Sequence, residues 1–298
     1  MPVEAKLGAL LTAMVTPFRP DGELNEDSAR RLMRHLVEHG SDGIVVAGTT
    51  GEAPTLSDDE KLRLVDIAVA ELAGKATVIA GTGSNDTRHT VHLTKEAGER
   101  GVDAVLVVTP YYNKPSRQGL IAHFEAAAAA TDKPVMIYNI PARTVINLEP
   151  ELLVELAQVD NIVAVKQANP DMVQAHRIVN EAGLGLYAGD DNLLRAFAEI
   201  GGAGGVCVSS HLFGDQMKEM YEAARAGDSE RAREIEDSLE DGYRTLFMTV
   251  GTATTKAALN LLGFDAGGLR LPLVDVTDDE RSAVQAMLER HGLVASAA

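Results

Sequence analysis

The chain has little that could cross-link it, anchor it or attract a polyanion. It holds a single cysteine, Cys207, in 298 residues, so no disulfide framework can form within one chain. Cys207 sits in an apolar strand-like run, where it reads as a small buried hydrophobe rather than a nucleophile or ligand. Basic residues are in deficit, 27 Lys plus Arg against 44 Asp plus Glu, for a net charge of −17. That balance argues against nucleic acid or an anionic membrane surface as a partner and for a soluble cytoplasmic protein. Long hydrophobic runs are missing as well. The apolar stretch at 7–15 contains Thr12 and ends near Pro17, too short for a membrane span and without a plausible cleavage site, so no targeting segment is expected. No glycine-rich phosphate loop follows the first apolar run, where the chain reads Thr16-Pro17-Phe18, and this disfavours a dinucleotide-binding fold.

What is present is 45% apolar content, enough for one large domain or a domain with a smaller appendage. Eight short apolar runs, at 10–15, 43–47, 77–80, 104–108, 134–138, 162–166, 184–188 and 205–208, alternate with helix-like segments. Asn25 or Asp27 opens one helix that Gly40 closes, and Ser57-Asp58-Asp59-Glu60 opens another through Leu72. Near-continuous apolar strands alternating with helices predict a parallel sheet covered by helices, and eight such units predict a closed (β/α)8 barrel, an α/β fold of the TIM type. After about Ala226 the strand signals stop, and 228–250, 254–262 and 277–291 read as helices. The expected division is a barrel over 1–226 that carries the active site and a C-terminal helical appendage over 227–298.

In a parallel barrel, chemistry belongs at the C-terminal ends of the strands. Those ends are polar here: Gly48-Thr49-Thr50-Gly51-Glu52, Thr109-Pro110-Tyr111-Tyr112-Asn113, Tyr138-Asn139 with Arg143 beyond, Lys166, and Gly189-Asp190-Asp191. Lys166 ends the run Ile162-Val163-Ala164-Val165, which reads as a strand buried on both faces. Desolvation favours its neutral amine, a nucleophile suited to imine chemistry. Each residue also has an ordinary reading: a Lys that snorkels to solvent, a strand-end Tyr, a threonine turn, a surface Arg. Their joint occurrence at successive strand ends favours a desolvated amine, proton-relaying hydroxyls and a carboxylate-orienting cation around one mouth. His35 with His39, and His89 with His92, read as solvated helix faces, with no third ligand for a metal. The glycine run at 201–205 precedes a strand and reads as a helix stop and turn.

On these motifs, together with Arg270-Leu271-Pro272-Leu273, nearly the whole chain resembles the dihydrodipicolinate synthase and N-acetylneuraminate lyase superfamily of class I aldolase-like barrels. Thr49-Thr50 and Arg143-Thr144 favour the synthase branch. The resemblance implies a lyase of lysine and diaminopimelate biosynthesis in which Lys166 forms an imine with pyruvate, whose enamine attacks L-aspartate 4-semialdehyde. It implies a proton relay of Tyr138, Thr50 and Tyr112, with Tyr112 reaching into a neighbouring subunit's site, so a homo-oligomer, dimer or tetramer, is expected. Thr49 and Thr50 would hold the pyruvate carboxylate, Arg143 that of the semialdehyde, and Gly189 and Val206 would line the pyruvate pocket through their backbone. No metal or organic cofactor is implied, the lysine itself serving as electron sink.

Gln167 stands where the synthases often carry an acidic residue, and Val145 replaces a common Gly. Lysine-inhibited members use a Ser, two His, an Asn and a Glu at a dimer-interface pocket, where this chain has Ala53, Asp58, Lys61, Asn85 and His89. Only Asn85 is kept, so weak or absent feedback by L-lysine is expected. Two alternatives stand beside the synthase: an aldolase for a 2-keto-3-deoxy sugar acid, which Gln167 mildly favours, and a noncatalytic ligand-binding barrel.

Overall fold

A computed structural model describes residues 3–295; positions 1–2 and 296–298, the outermost ends of the two expected units, lie outside it. Eight parallel strands close into one barrel in chain order: β1 (Leu10–Ala13), β2 (Gly43–Val46), β3 (Thr77–Gly81), β4 (Ala104–Val108), β5 (Val135–Asn139), β6 (Ile162–Gln167), β7 (Gly185–Ala188) and β8 (Gly204–Cys207). The expected barrel is the observed one, with strand ends displaced by no more than two residues.

The unbroken apolar runs follow from this topology, because both faces of each strand are dry. Leu11, Met136, Ala164 and Val206 fill the barrel interior, while their neighbours Leu10, Val135, Val165 and Cys207 face the surrounding helices. The strand period of two therefore sends the Lys166 side chain, in phase with Ala164 and Ala168, into the barrel. Register sets Lys166 beside Tyr138 on β5 and beside Tyr187 on β7.

Helix starts follow their caps. Asn25, rather than Asp27, caps Glu26–Glu38 through Ser28 N–H at 3.2 Å. Ser57 Oγ accepts from Glu60 N–H while the Glu60 carboxylate accepts from Ser57 N–H at 2.8 Å, a complete capping box for Asp58–Leu72. Gly40 (φ +90°) ends the first of these where a Cβ would lie 2.6 Å from the Gly214 carbonyl, so only glycine fits.

The C-terminal helices are Ser229–Leu246, Gly251–Leu261 and Asp278–Arg290. One helix was expected across 228–250, but it stops at Leu246. There the Thr254 hydroxyl takes the Leu246 carbonyl, and a run of β-branched residues and glycine, Thr249-Val250-Gly251, turns the chain into the next helix. Ile235, Leu239, Val284 and Met287 join the same apolar cluster as the outer face of the barrel, so the appendage is packed on the barrel rather than around a core of its own. No described helix is long and apolar enough to cross a membrane.

Candidate active site

Lys166 is 5% exposed, and its amine stands 4.3 Å above the centre of the Tyr138 ring. Burial pushes the amine down to about 8, with Cys207, Asp191 and Asp190 pulling weakly the other way. Burial also drives the Tyr138 phenol well above its usual value, Asp190 adding to this and Arg143 opposing it. Tyr138 is therefore a neutral hydroxyl at physiological pH, able both to donate and to accept a proton.

A cavity of about 240 Å³ opens over this pair. Thr49, Thr50, Tyr138, Arg143, Lys166 and Gly189 all line it, so six of the expected residues from four strand ends converge. Thr49 and Thr50 lie on the tight turn leaving β2, in which Ala47 and Glu52 both have left-handed backbone (φ 53° and 60°). Arg143 rises from a single helical turn, Pro141–Thr144, pinned by the Thr144 hydroxyl to the Ile140 carbonyl at 2.9 Å. Its guanidinium makes no ion pair with a described residue, leaving it available to an anion. Gly189 is required by closeness, since a Cβ would meet Ala168 Cβ at 2.8 Å.

Two expected residues fall elsewhere. Val206 is fully buried inside the barrel, one strand repeat beneath Val208, and it is Val208 that lines the cavity. The two valines share side-chain phase, so sequence alternation does not distinguish them. Tyr112 is 88% exposed on a left-handed backbone (φ 73°) and is not among the residues lining this cavity.

Other groups around the site had no role assigned from the sequence. Asp191 is buried and accepts from the Val208 and Ser209 backbone N–H groups at 3.0 and 2.5 Å, tying the ends of β7 and β8 together. Burial raises its carboxyl above the usual range despite those bonds. Phe247, Val250, Pro272 and Leu273 from the C-terminal region form the outer wall of the cavity. Gln167 turns away from it. Its side chain accepts from Asn139 Nδ2 at 2.9 Å, within an amide lattice in which Asn139 Nδ2 also reaches Asn147, itself bonded to Gln174. A residue facing that lattice cannot select a substrate in the cavity, so the encouragement Gln167 lent to a sugar-acid aldolase falls away.

The histidines have structural partners. His39 meets Asp215 at 2.9 Å, and His35, expected on a solvated face, is half-buried with its ring 4.5 Å from Phe264. A second cavity of about 260 Å³ shares Thr49, Pro54 and Tyr138 with the first and is lined also by Ala53, Lys61, His89 and Tyr111. At its edge, Asp58 is bonded by His89 at 2.9 Å and Lys61 at 3.2 Å. Burial opposes ionisation of Asp58, but these two bonds prevail and hold it below the usual carboxyl range.

A closed β/α barrel with a desolvated amine, an apposed phenol and a free guanidinium at its C-terminal mouth defines a barrel lyase whose candidate nucleophile is a lysine. The model of the dihydrodipicolinate synthetase family matches residues 6–291, and the chain belongs to that family. It is 47% identical over 290 residues to the 4-hydroxy-tetrahydrodipicolinate synthase of Desulforudis audaxviator, covering 96% of this chain and 98% of that one. Among solved structures, the lysine-bound dihydrodipicolinate synthase of Cyanidioschyzon merolae is 41% identical with a TM-score of 0.93, over 96% of this chain and 98% of that one. The chloride-inhibited enzyme of Acinetobacter baumannii, complexed with pyruvate, is 34% identical with a TM-score of 0.93, over 96% and 99% of the two chains.

Proposed function

We propose that this barrel condenses pyruvate with L-aspartate 4-semialdehyde through an imine on Lys166, giving 4-hydroxy-tetrahydrodipicolinate. The observation that carries this reading is the Lys166 amine, held at about 8 beside Tyr138 in a dry site. About a tenth of it is free base at pH 7. That amine adds to the keto carbon of pyruvate and water leaves, forming an iminium; loss of a C3 proton gives the enamine, whose C3 attacks the aldehyde carbon. The semialdehyde's own amine then displaces Lys166 from the imine carbon, closing the ring and restoring the free lysine.

Tyr138 and Thr50 carry the protons of these steps, as neutral hydroxyls within the same cavity. Thr49 and Thr50 hold the pyruvate carboxylate, with Gly189 and Val208 flanking it. Arg143, unpaired at the rim, takes the carboxylate of the semialdehyde. The exposed Tyr112 completes the relay in a second copy of the chain, which makes the working form a homo-oligomer. The acidic surface and the substrates' place in lysine and diaminopimelate biosynthesis fit a cytoplasmic enzyme.

Arg143→Ala tests the assignment of the second substrate. Losing a charge-assisted bond worth about 1.5–3 kcal/mol is expected to raise KM for the semialdehyde roughly 10- to 100-fold, with pyruvate trapping on Lys166 unchanged. An unchanged semialdehyde KM would remove Arg143 from that role.

We also propose that L-lysine is a weak inhibitor or none. The second cavity presents the Lys61 ammonium, and the Asp58 carboxylate that Lys61 and His89 reach is already taken by those two partners. A cationic effector therefore meets like charge without a free anion. Full activity at submillimolar lysine is the expected assay result, and inhibition in that range would refute it.

A further inference from the structure

The Thr49-Thr50 turn is tied at its far end by a buried ionic knot centred on Glu52, which also lines the Lys166 cavity. Glu52, 1% exposed, accepts from the Lys256 ammonium at 2.6 Å, and Lys256 is itself 1% exposed. The other Glu52 oxygen accepts from the Arg270 backbone N–H at 2.9 Å. Lys256 donates onward to the Gly268 carbonyl at 2.7 Å. Both cations stand over the Phe18 ring, with the Lys256 ammonium 4.2 Å and the Arg270 guanidinium 4.3 Å from its centre. Arg270 also binds Glu60 and the Thr55 carbonyl at 2.9 and 2.8 Å.

One carboxylate thus joins two walls of the cavity, the β2 turn that carries both threonines and the 270–273 segment whose Pro272 and Leu273 line it. The turn needs such a tie. Ala47 and Glu52 are both non-glycine residues in left-handed backbone, a conformation that costs of order 1–3 kcal/mol each and persists only where surrounding contacts hold it. Within the turn, Glu52 N–H donates to the Thr49 carbonyl at 3.1 Å and Ala53 N–H to the Gly48 carbonyl at 3.2 Å; the ties that reach beyond it include the Thr16 hydroxyl to the Gly51 carbonyl at 2.7 Å and the Glu52 knot. A pairing this dry contributes little net stability over an apolar alternative, since desolvating two charges offsets most of their attraction. Its geometric constraint is the larger effect.

We propose that Glu52 is a positioning residue: through Lys256 and Arg270 it fixes the Thr49-Thr50 turn at the spacing that grips a 2-keto acid by its carboxylate. The inference rests on the imine reading above and names what sets selectivity for a carboxylate-bearing ketone over a ketone without one.

The test compares borohydride trapping on Lys166 with pyruvate and with acetone, which forms the same imine but has no carboxylate to hold. In Glu52→Gln the shape and acceptor oxygen remain and the charge is lost. Trapping by subsaturating pyruvate is expected to fall at least tenfold relative to acetone, whose rate reports Lys166 alone. The charge-balanced pair Glu52→Gln with Lys256→Met is measured alongside, so that a single variant lost to an uncompensated buried ammonium still leaves a folded protein to read. A parallel fall with both ketones, or an unchanged ratio, would overturn the proposal. Absence of pyruvate trapping in the unaltered enzyme would instead remove the imine reading on which it rests.

Discussion

Lys166→Met is expected to abolish pyruvate trapping and lower kcat/KM by about 10⁴-fold or more, while making the protein more stable. The folded amine sits at about 8 against an ordinary value of 10.5, and burial is the main cause. A lysine depressed in this way binds fewer protons folded than unfolded between those two values, so stability rises as pH climbs from about 8 to about 10. Below pH 8 the full penalty remains, on the order of 3 kcal/mol for a gap of that size. Methionine keeps the stem and removes the charge, and an increase of roughly 5 °C in Tm at pH 7 is expected for a chain of this length. The gain should shrink as pH approaches 10. Equal stability of variant and parent from pH 7 to 10 would show that the amine is solvated and contradict its role as a free-base nucleophile. In the unaltered enzyme, the trapping rate at limiting pyruvate should rise through about pH 8.

Tyr138→Phe separates the ring from its hydroxyl. The ring that faces the Lys166 amine at 4.3 Å is retained, and the only group removed is the phenol that burial keeps protonated. Loss of a positioned acid–base group typically costs about 10²–10⁴ in rate, so kcat is expected to fall by that range while the pyruvate adduct on Lys166 still forms. Loss of the adduct together with kcat would make the phenol essential to imine formation itself; an unchanged kcat would exclude it from the relay.

The barrel was legible because its strands obey two simple constraints, dryness on both faces and spacing by a full helix, and neither depends on distant contacts. The same constraints made Lys166 conspicuous, as an ammonium at the end of a run that has no water on either side. Thr49, Thr50, Tyr138, Arg143 and Gly189 followed once strand ends were known to meet at one mouth. What local pattern left open shares a cause. Val206 and Val208 are one full strand repeat apart, so both satisfy the same pattern and only closure of the barrel sets which lies at cavity depth. The break after Leu246 depends on a hydroxyl eight residues away, and the wall formed by Phe247 and Val250 depends on that break. Glu52 and Lys256 lie 204 residues apart and nothing local pairs them. Gln167 looked like a neighbour of the chemistry because it adjoins Lys166, yet alternation turns it to the opposite face.

The central claim is that Lys166 forms the covalent intermediate, and the most direct measurement is the mass of the protein after incubation with pyruvate and borohydride, followed by peptide mapping. Reduction freezes an imine as a stable secondary amine. One pyruvyl-derived addition on the Lys166 peptide, absent from Lys166→Met, is the expected result. No addition, or an addition mapped to another lysine, would contradict the account and leave the barrel as a binding protein without imine chemistry at this site.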